Sequence, residues 1–146
     1  MSGAGPYSSP GFWLHHAALT WRQACEERLG NITYPQFNIL SAVSMLTGRD
    51  GPPTQQDAAD FARMDRKMAS KIIQTLEHRD LLVRVPDAAD ARLRRLRLTD
   101  GGQDAVRQCV LAARQADEQI FGRGPATDRL RDDLRAIAQQ RTNSAA

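Results

Sequence analysis

Apolar side chains recur at Ala69, Ile72, Ile73 and Leu76, the i, i+3, i+4, i+7 spacing of a single helix face. The spacing predicts a helix from Arg66 to about His78, with Arg66, Lys67, Ser70, Lys71 and Gln74 on the opposite face. Asp65 caps its start, and the whole segment runs from 65 to 79. Upstream, Thr54-Gln-Gln-Asp57 sets a hydroxyl three residues before an acid, a capping box that satisfies free N–H groups at a helix start. It opens a short helix ending near Phe61 to Arg63. After His78 the period falls to two. Leu81 to Val85 reads as a strand, with Val83 and Val85 on one face and Arg84 on the other. Leu96 and Leu98 alternate with Arg95 and Arg97 in a return strand. Pro86-Asp-Ala-Ala-Asp90 between them is turn-forming. A hairpin over 82–98 follows two helices, which is the pattern of a winged helix–turn–helix.

The flanks are helical. From Phe12 to Leu29, Leu14, Ala18, Trp21 and Cys25 form one stripe. Trp13, Ala17, Thr20 and Ala24 form a second beside it, and Phe12, His16 and Leu19 widen the arc. An apolar arc this wide predicts contact with both its own domain and a partner. Thr33-Tyr-Pro-Gln36 is a capping box with proline inside the first turn. Its helix, to about Leu46, carries Phe37, Ile39, Leu40, Val43 and Leu46 and belongs at the centre of the fold; 48–53 reads as a loop. Thr99 caps a long helix to about Phe121, along which Asp117 interrupts the apolar stripe. Gly122, Gly124 and Pro125 break it, and a last helix over about 127–140 aligns Leu130, Leu134 and Ile137. Residues 1–11 read as a frayed arm and 141–146 as a disordered tail. The expected fold is mainly α with a small β-wing. One domain, 12–140, holds the winged helix–turn–helix (33–99) and terminal helices (12–29 and 100–140) whose spare apolar surface pairs with a second copy.

Charge adds a direction to this picture. The net charge of the 146 residues is only +3, but 63–97 holds ten Lys/Arg against five Asp/Glu. Local positive charge on a helix–turn–helix and wing is the footprint of a nucleic-acid binder. Arg66, Lys67, Ser70, Lys71 and Gln74 suit a helix in a major groove, with Met68 at the edge of that face. Thr54 and Gln55 stand at a helix start, where N–H groups receive phosphate. A hairpin tip with Arg92 and Arg94 suits the backbone or a narrow minor groove. No apolar run approaches a membrane span and the N-terminus has no export signal pattern, so the expected setting is the cytoplasm, on the nucleoid when DNA is bound. No Gly-x-Ser-x-Gly, phosphate loop or isolated carboxylate pair supports an enzyme, and no cofactor is expected.

Several runs together resemble the multiple-antibiotic-resistance regulator (MarR) family. They are Leu76-Glu-His-Arg-Asp-Leu-Leu-Val-Arg84, Pro86-Asp87, Asp90-x-Arg92, Leu98-Thr99 with Gly102, and upstream Ile32-Thr-Tyr-Pro-Gln-Phe37. The likeness covers about residues 12 to 140, and the Asp-x-Arg wing followed by Leu-Thr is its most specific part. Asp80 departs from it, standing where the family usually has glycine; Asp tolerates a left-handed backbone better than most residues. The resemblance implies a bacterial, twofold dimeric regulator, in the first place a repressor, that binds a double-stranded DNA operator. It implies that Asp90 and Arg92 form a wing-tip ion pair presenting the arginine to the minor groove. It further implies a small aromatic ligand between dimer helices and winged unit, a role for which Trp13 and His16 are candidates against an ordinary interface role.

Two alternatives stay open at this level. Some relatives use a reactive thiol in the first helix, but Cys25 lies near the end of that helix and Cys109 on an apolar stripe, and there is no Cys-x-x-Cys. A winged helix can also serve as a protein-interaction module without an operator, against which the arginine-rich wing argues. His15, His16 and His78 are too few and too poorly spaced for a metal site.

Overall fold

The computed structural model describes residues 5–144, with side chains to residue 140. Among the described residues six α-helices and a two-stranded antiparallel sheet follow a short 3-10 turn at Pro6–Ser8, in the order α1 (Pro10–Glu26), α2 (Tyr34–Asp50), α3 (Gln55–Phe61), α4 (Arg66–His78), β1 (Leu82–Pro86), β2 (Arg94–Leu98), α5 (Asp100–Phe121) and α6 (Pro125–Ser144). The helix starts follow local chemistry. Thr33 Oγ1 accepts from the Gln36 N–H at 3.2 Å while Gln36 Oε1 accepts from the Thr33 N–H at 3.1 Å. Thr54 and Asp57 repeat the exchange at α3. The Asp65 carboxylate accepts from the N–H groups of Lys67 and Met68 at the head of α4.

Contacts divide the chain into two compact units, one from Cys25 to Ala113 and one joining the residues up to Ala24 with those from Arg114. The first holds the main core. Ile39, Leu40 and Val43 of α2, Ile73 and Leu76 of α4, Leu82 of β1 and Leu96 of β2 are fully buried in it. Strand register pairs Leu82 with Leu98 and Val85 with Arg95. Directly opposite residues share a face, so the core face of the hairpin carries Leu82 and Leu96 and, with them, Arg84. Val83 and Val85 do lie together across from Arg84, yet their face is the outer, half-buried one. The sheet is also tied to the α2–α3 loop, since the Leu96 N–H donates to the Pro53 carbonyl at 2.7 Å.

The junction of α4, β1 and α5 is tightly built. The Leu81 N–H reaches back to the Leu76 carbonyl at 2.9 Å, closing α4 with Asp80 in the left-handed region at φ 56°. Aspartate therefore adopts the conformation expected of the glycine it replaces. Thr99 Oγ1 donates to the Asp80 carbonyl at 2.6 Å and accepts from the Gly102 N–H at 3.0 Å. A Cβ on Gly102 would stand 2.0 Å from the Leu81 carbonyl oxygen, which explains the glycine of the Leu98-Thr99…Gly102 pattern.

Several boundaries differ from the pattern-based expectation. Ser9 Oγ accepts from the Phe12 N–H, so α1 begins at Pro10, and Tyr7 packs on Phe12 and Trp13; the arm expected over 1–11 is structured from residue 6, and residues 1–4 lie outside the described part. The same helix ends at Glu26, where Arg28 and Leu29 close i→i+3 bonds instead. Helix α2 passes through Gly48 to Asp50 and stops at Gly51, φ 89°. One mid-helix glycine costs about 1 kcal/mol, less than the helical bonds gained by continuing. Helix α6 starts at Pro125, a favourable first-turn residue, and its backbone runs through Ser144, into the segment expected as a tail; residues 145–146 lie outside the described part.

The other unit brings α1, the end of α5 and α6 together. Asp117, the interruption in the apolar stripe, accepts the Trp21 indole N–H at 2.7 Å. Among the described residues no helix is long and apolar enough to cross a membrane.

Candidate nucleic-acid interface

Helix α4 turns Ala69, Ile73 and Leu76 into the core. The opposite side presents Arg66, Lys67, Met68, Lys71 and Gln74 to solvent, with Ser70 half-buried between them. Met68 belongs to this outer face, being 46% exposed. Among the described residues the side chains of Arg66, Lys67, Ser70, Lys71 and Gln74 make no hydrogen bond or ion pair, so their donors are available to a ligand. Thr54 is occupied as the α3 cap. Gln55 beside it accepts from Arg84 Nη2 at 2.8 Å; a guanidinium only donates, so the amide oxygen must face Arg84.

The hairpin tip carries the other cations. Arg92 is 94% exposed and its Nε lies 3.4 Å from Asp90 Oδ1, which also accepts the Arg92 backbone N–H at 3.0 Å. Arg94 is exposed across from Pro86. The hairpin thus brings Asp90, Arg92 and Arg94 to one tip.

Two arginines that the sequence reading left out organise this surface. Arg84 Nε donates to Glu77 Oε1 of α4 at 2.9 Å and its Nη2 to Gln55 of α3. Arg95 Nε donates to Asp87 Oδ1, and its Nη1 to the Pro52 carbonyl at 2.8 Å. Arg95, with the N–H groups of Asp90 and Ala89, holds the Asp87 carboxyl below the usual carboxylate range. Pairing Val85 with Arg95 across the strands would have revealed the second arrangement, since it sets Arg95 beside the start of the turn; the first depends on packing.

In the other unit, Trp13 and His16 gather about Phe12, with ring centroids 5.1 and 4.4 Å away. Trp13 also lines an apolar groove of about 750 Å³ with Leu14, Trp21, Phe121, Leu134 and Ile137; His16 is not in its wall. Cys25 and Cys109 are both buried, and burial pushes the Cys109 thiol above its ordinary pKa.

The model of the MarR family matches residues 31–93, from the start of α2 to the wing tip. The "Uncharacterized HTH-type transcriptional regulator YdcH" of Bacillus subtilis is 28% identical over 120 residues, covering 81% of this chain and 82% of the relative. Over its reading segment, the chain is similar to the MarR family of regulators. The chain is likewise 28% identical over 119 residues to the "HTH-type transcriptional repressor NicR" of Pseudomonas putida, across 81% of this chain and 70% of that one. Its fold matches the crystal structure of CouR from Rhodococcus jostii bound to p-coumaroyl-CoA with a TM-score of 0.79 at 21% identity, over 93% and 96% of the two chains.

Proposed function

We propose that this chain is a homodimeric MarR-family repressor of a pseudo-palindromic operator, released by a small aromatic ligand. The observation that carries the DNA-binding mode is the uncompensated outer face of α4 beside the arginine-tipped wing. Each α4 enters a major groove through Arg66, Lys67, Met68, Ser70, Lys71 and Gln74; Thr54 and Gln55 approach the phosphate backbone. The wing tip, with Asp90, Arg92 and Arg94, reaches the flanking minor groove. Half-sites then lie about 10–10.5 base pairs apart, one helical turn. Support for the dimer comes from apolar surface that α1 and α6 leave open: Trp13, Leu14, Leu134 and Ile137 are exposed around the apolar groove. The dimerisation segments are the terminal ones, 12–29 and 100–140, and the reading segment is 33–99.

The ligand reading draws on CouR, whose structure holds an aromatic acyl-CoA. Trp13 and His16, gathered about Phe12, are the side chains proposed to meet the aromatic group. Buried thiols weigh against redox sensing by Cys25 or Cys109, because the exposed thiolate is the reactive form. The arginine-rich wing beside a face of free cationic donors argues against a protein-interaction module without an operator.

Selection of genomic fragments with the purified protein, followed by footprinting, tests this reading. A twofold-symmetric protected site is expected, whose affinity falls steeply with salt. Arg92→Ala should weaken binding most at A·T-rich flanks, where the minor groove is narrow. A single unbroken half-site, or a 16.2 kDa species on sedimentation at micromolar concentration, would overturn it.

A further inference from the structure

We propose that Asp87 and Arg95 are a positioning pair that sets the angle at which wing-tip Arg92 meets DNA, an inference resting on the minor-groove role assigned above to Arg92. A continuous chain of hydrogen bonds runs from the α2–α3 loop to that tip. Arg95 Nη1 donates to the Pro52 carbonyl at 2.8 Å, and Arg95 Nε to Asp87 Oδ1. The second carboxylate oxygen of Asp87 accepts the N–H groups of Ala89 and Asp90, each at 2.9 Å. Asp90 in turn accepts the backbone and side-chain N–H groups of Arg92. The turn backbone closes beside this chain, through Asp87 N–H to the Leu93 carbonyl at 2.9 Å and Leu93 N–H to the Asp90 carbonyl at 3.0 Å.

Burial separates the roles. The side chain of Asp87 is 15% exposed and that of Arg95 32%, whereas Arg92 stands almost wholly in solvent. Arg95 spends its charge on an internal acid and its second donor on a carbonyl of the helical body. The planar fork makes this possible, since it donates in two fixed directions at once; an ammonium is a point charge on a flexible stem. A two-stranded ribbon has little stiffness of its own. Anchoring it to the Pro52–Pro53 loop, by the Arg95 side chain and the Leu96 N–H together, removes the freedom that binding would otherwise have to quench.

The test measures the affinity of the full-length protein for two operator fragments that differ only in having A·T-rich or G·C-rich flanks. Arg95→Gln is expected to weaken binding about 3- to 10-fold at the A·T-rich fragment and to leave the G·C-rich fragment nearly unchanged. The slope of log affinity against log salt should stay as in the wild type, because Arg95 touches no phosphate. In an Arg92→Ala background Arg95→Gln should have no further effect. Arg95→Lys should behave like Arg95→Gln, and Asp87→Asn, which keeps the size of the turn residue, provides the same readings if Arg95→Gln does not fold. A slope lowered by about 1 with equal loss at both fragments would make Arg95 a direct phosphate contact instead. Losses that add in the Arg92→Ala background, or full rescue by lysine, would equally overturn the proposal. If the wild type shows no flank preference, the wing reading itself fails; preserved wild-type preference with additive losses removes only the positioning pair.

Discussion

Replacing Gly102 with alanine should destabilise the protein, while the same change one residue earlier should stabilise it. Both glycines lie in the first turn of α5, where alanine is intrinsically favoured by up to about 1 kcal/mol. A Cβ on Gly101 would find Asp80 O and Leu81 Cδ2 at 3.6 Å and Thr99 Oγ1 at 3.7 Å, all ordinary contacts. On Gly102 it would meet the Leu81 carbonyl oxygen at 2.0 Å, the Leu81 carbonyl carbon at 3.1 Å and Leu98 Cδ2 at 3.2 Å. The first two are backbone atoms, so the turn after α4 must move away by more than about 1 Å to restore a normal separation. That motion pulls on three hydrogen bonds: Thr99 N–H to Leu81 O at 3.2 Å, Thr99 Oγ1 to Asp80 O at 2.6 Å, and Gly102 N–H to Thr99 Oγ1 at 3.0 Å. At about 0.5–1.5 kcal/mol each, their loss outweighs the propensity gain and leaves Gly102→Ala roughly 1–3 kcal/mol less stable. Gly101→Ala should gain roughly 0.5–1 kcal/mol. Thermal unfolding followed by circular dichroism, at one fixed protein concentration because the proposed dimer's midpoint would depend on it, should separate the two midpoints by roughly 5–10 °C. A Gly102→Ala protein as stable as wild type would refute the close approach of α5 to the turn.

Three further outcomes follow from the same geometry. Leu134→Asp or Ile137→Asp places a charge on the apolar groove, and sedimentation should show dissociation of the proposed dimer raised roughly tenfold or more, with DNA affinity falling alongside. Neither cysteine of the native protein should react with a thiol reagent at pH 8, whereas denaturant should release both, because each is buried and the Cys109 thiol titrates above its ordinary value; prompt native labelling would revive the redox alternative. The folded Asp87 carboxyl is held low by Arg95 and two N–H groups, so its stabilisation is present above the unfolded pKa of about 4 and is lost as pH falls through the lower folded value. The gap in urea midpoint between wild type and Asp87→Asn should therefore be open at pH 7 and close on acidification below about pH 4; a gap that opens in acid would show the opposite linkage.

What the sequence by itself determined is what depends on neighbours a few residues away. Caps at Thr33, Thr54 and Asp65 need only a side-chain oxygen two or three residues from the N–H groups it accepts, and all three form. The α4 stripe follows from helical spacing, and its core residues Ala69, Ile73 and Leu76 are the ones buried. Asp80 takes a left-handed turn because the chain must reverse there and aspartate tolerates it. Tertiary structure decided what depends on residues brought from elsewhere. Strand alternation divides β1 into two faces but does not say which meets the helices. Leu82 and Leu96 settle that; Arg84, two residues from Leu82 and paired with Leu96, is carried onto the same face, where its guanidinium finds Glu77 and Gln55. The role of Arg95 rests on the Pro52 carbonyl, 43 residues away in the chain. The need for glycine at 102 comes from a carbonyl of the preceding turn, which helix propensity, a local quantity, does not sense.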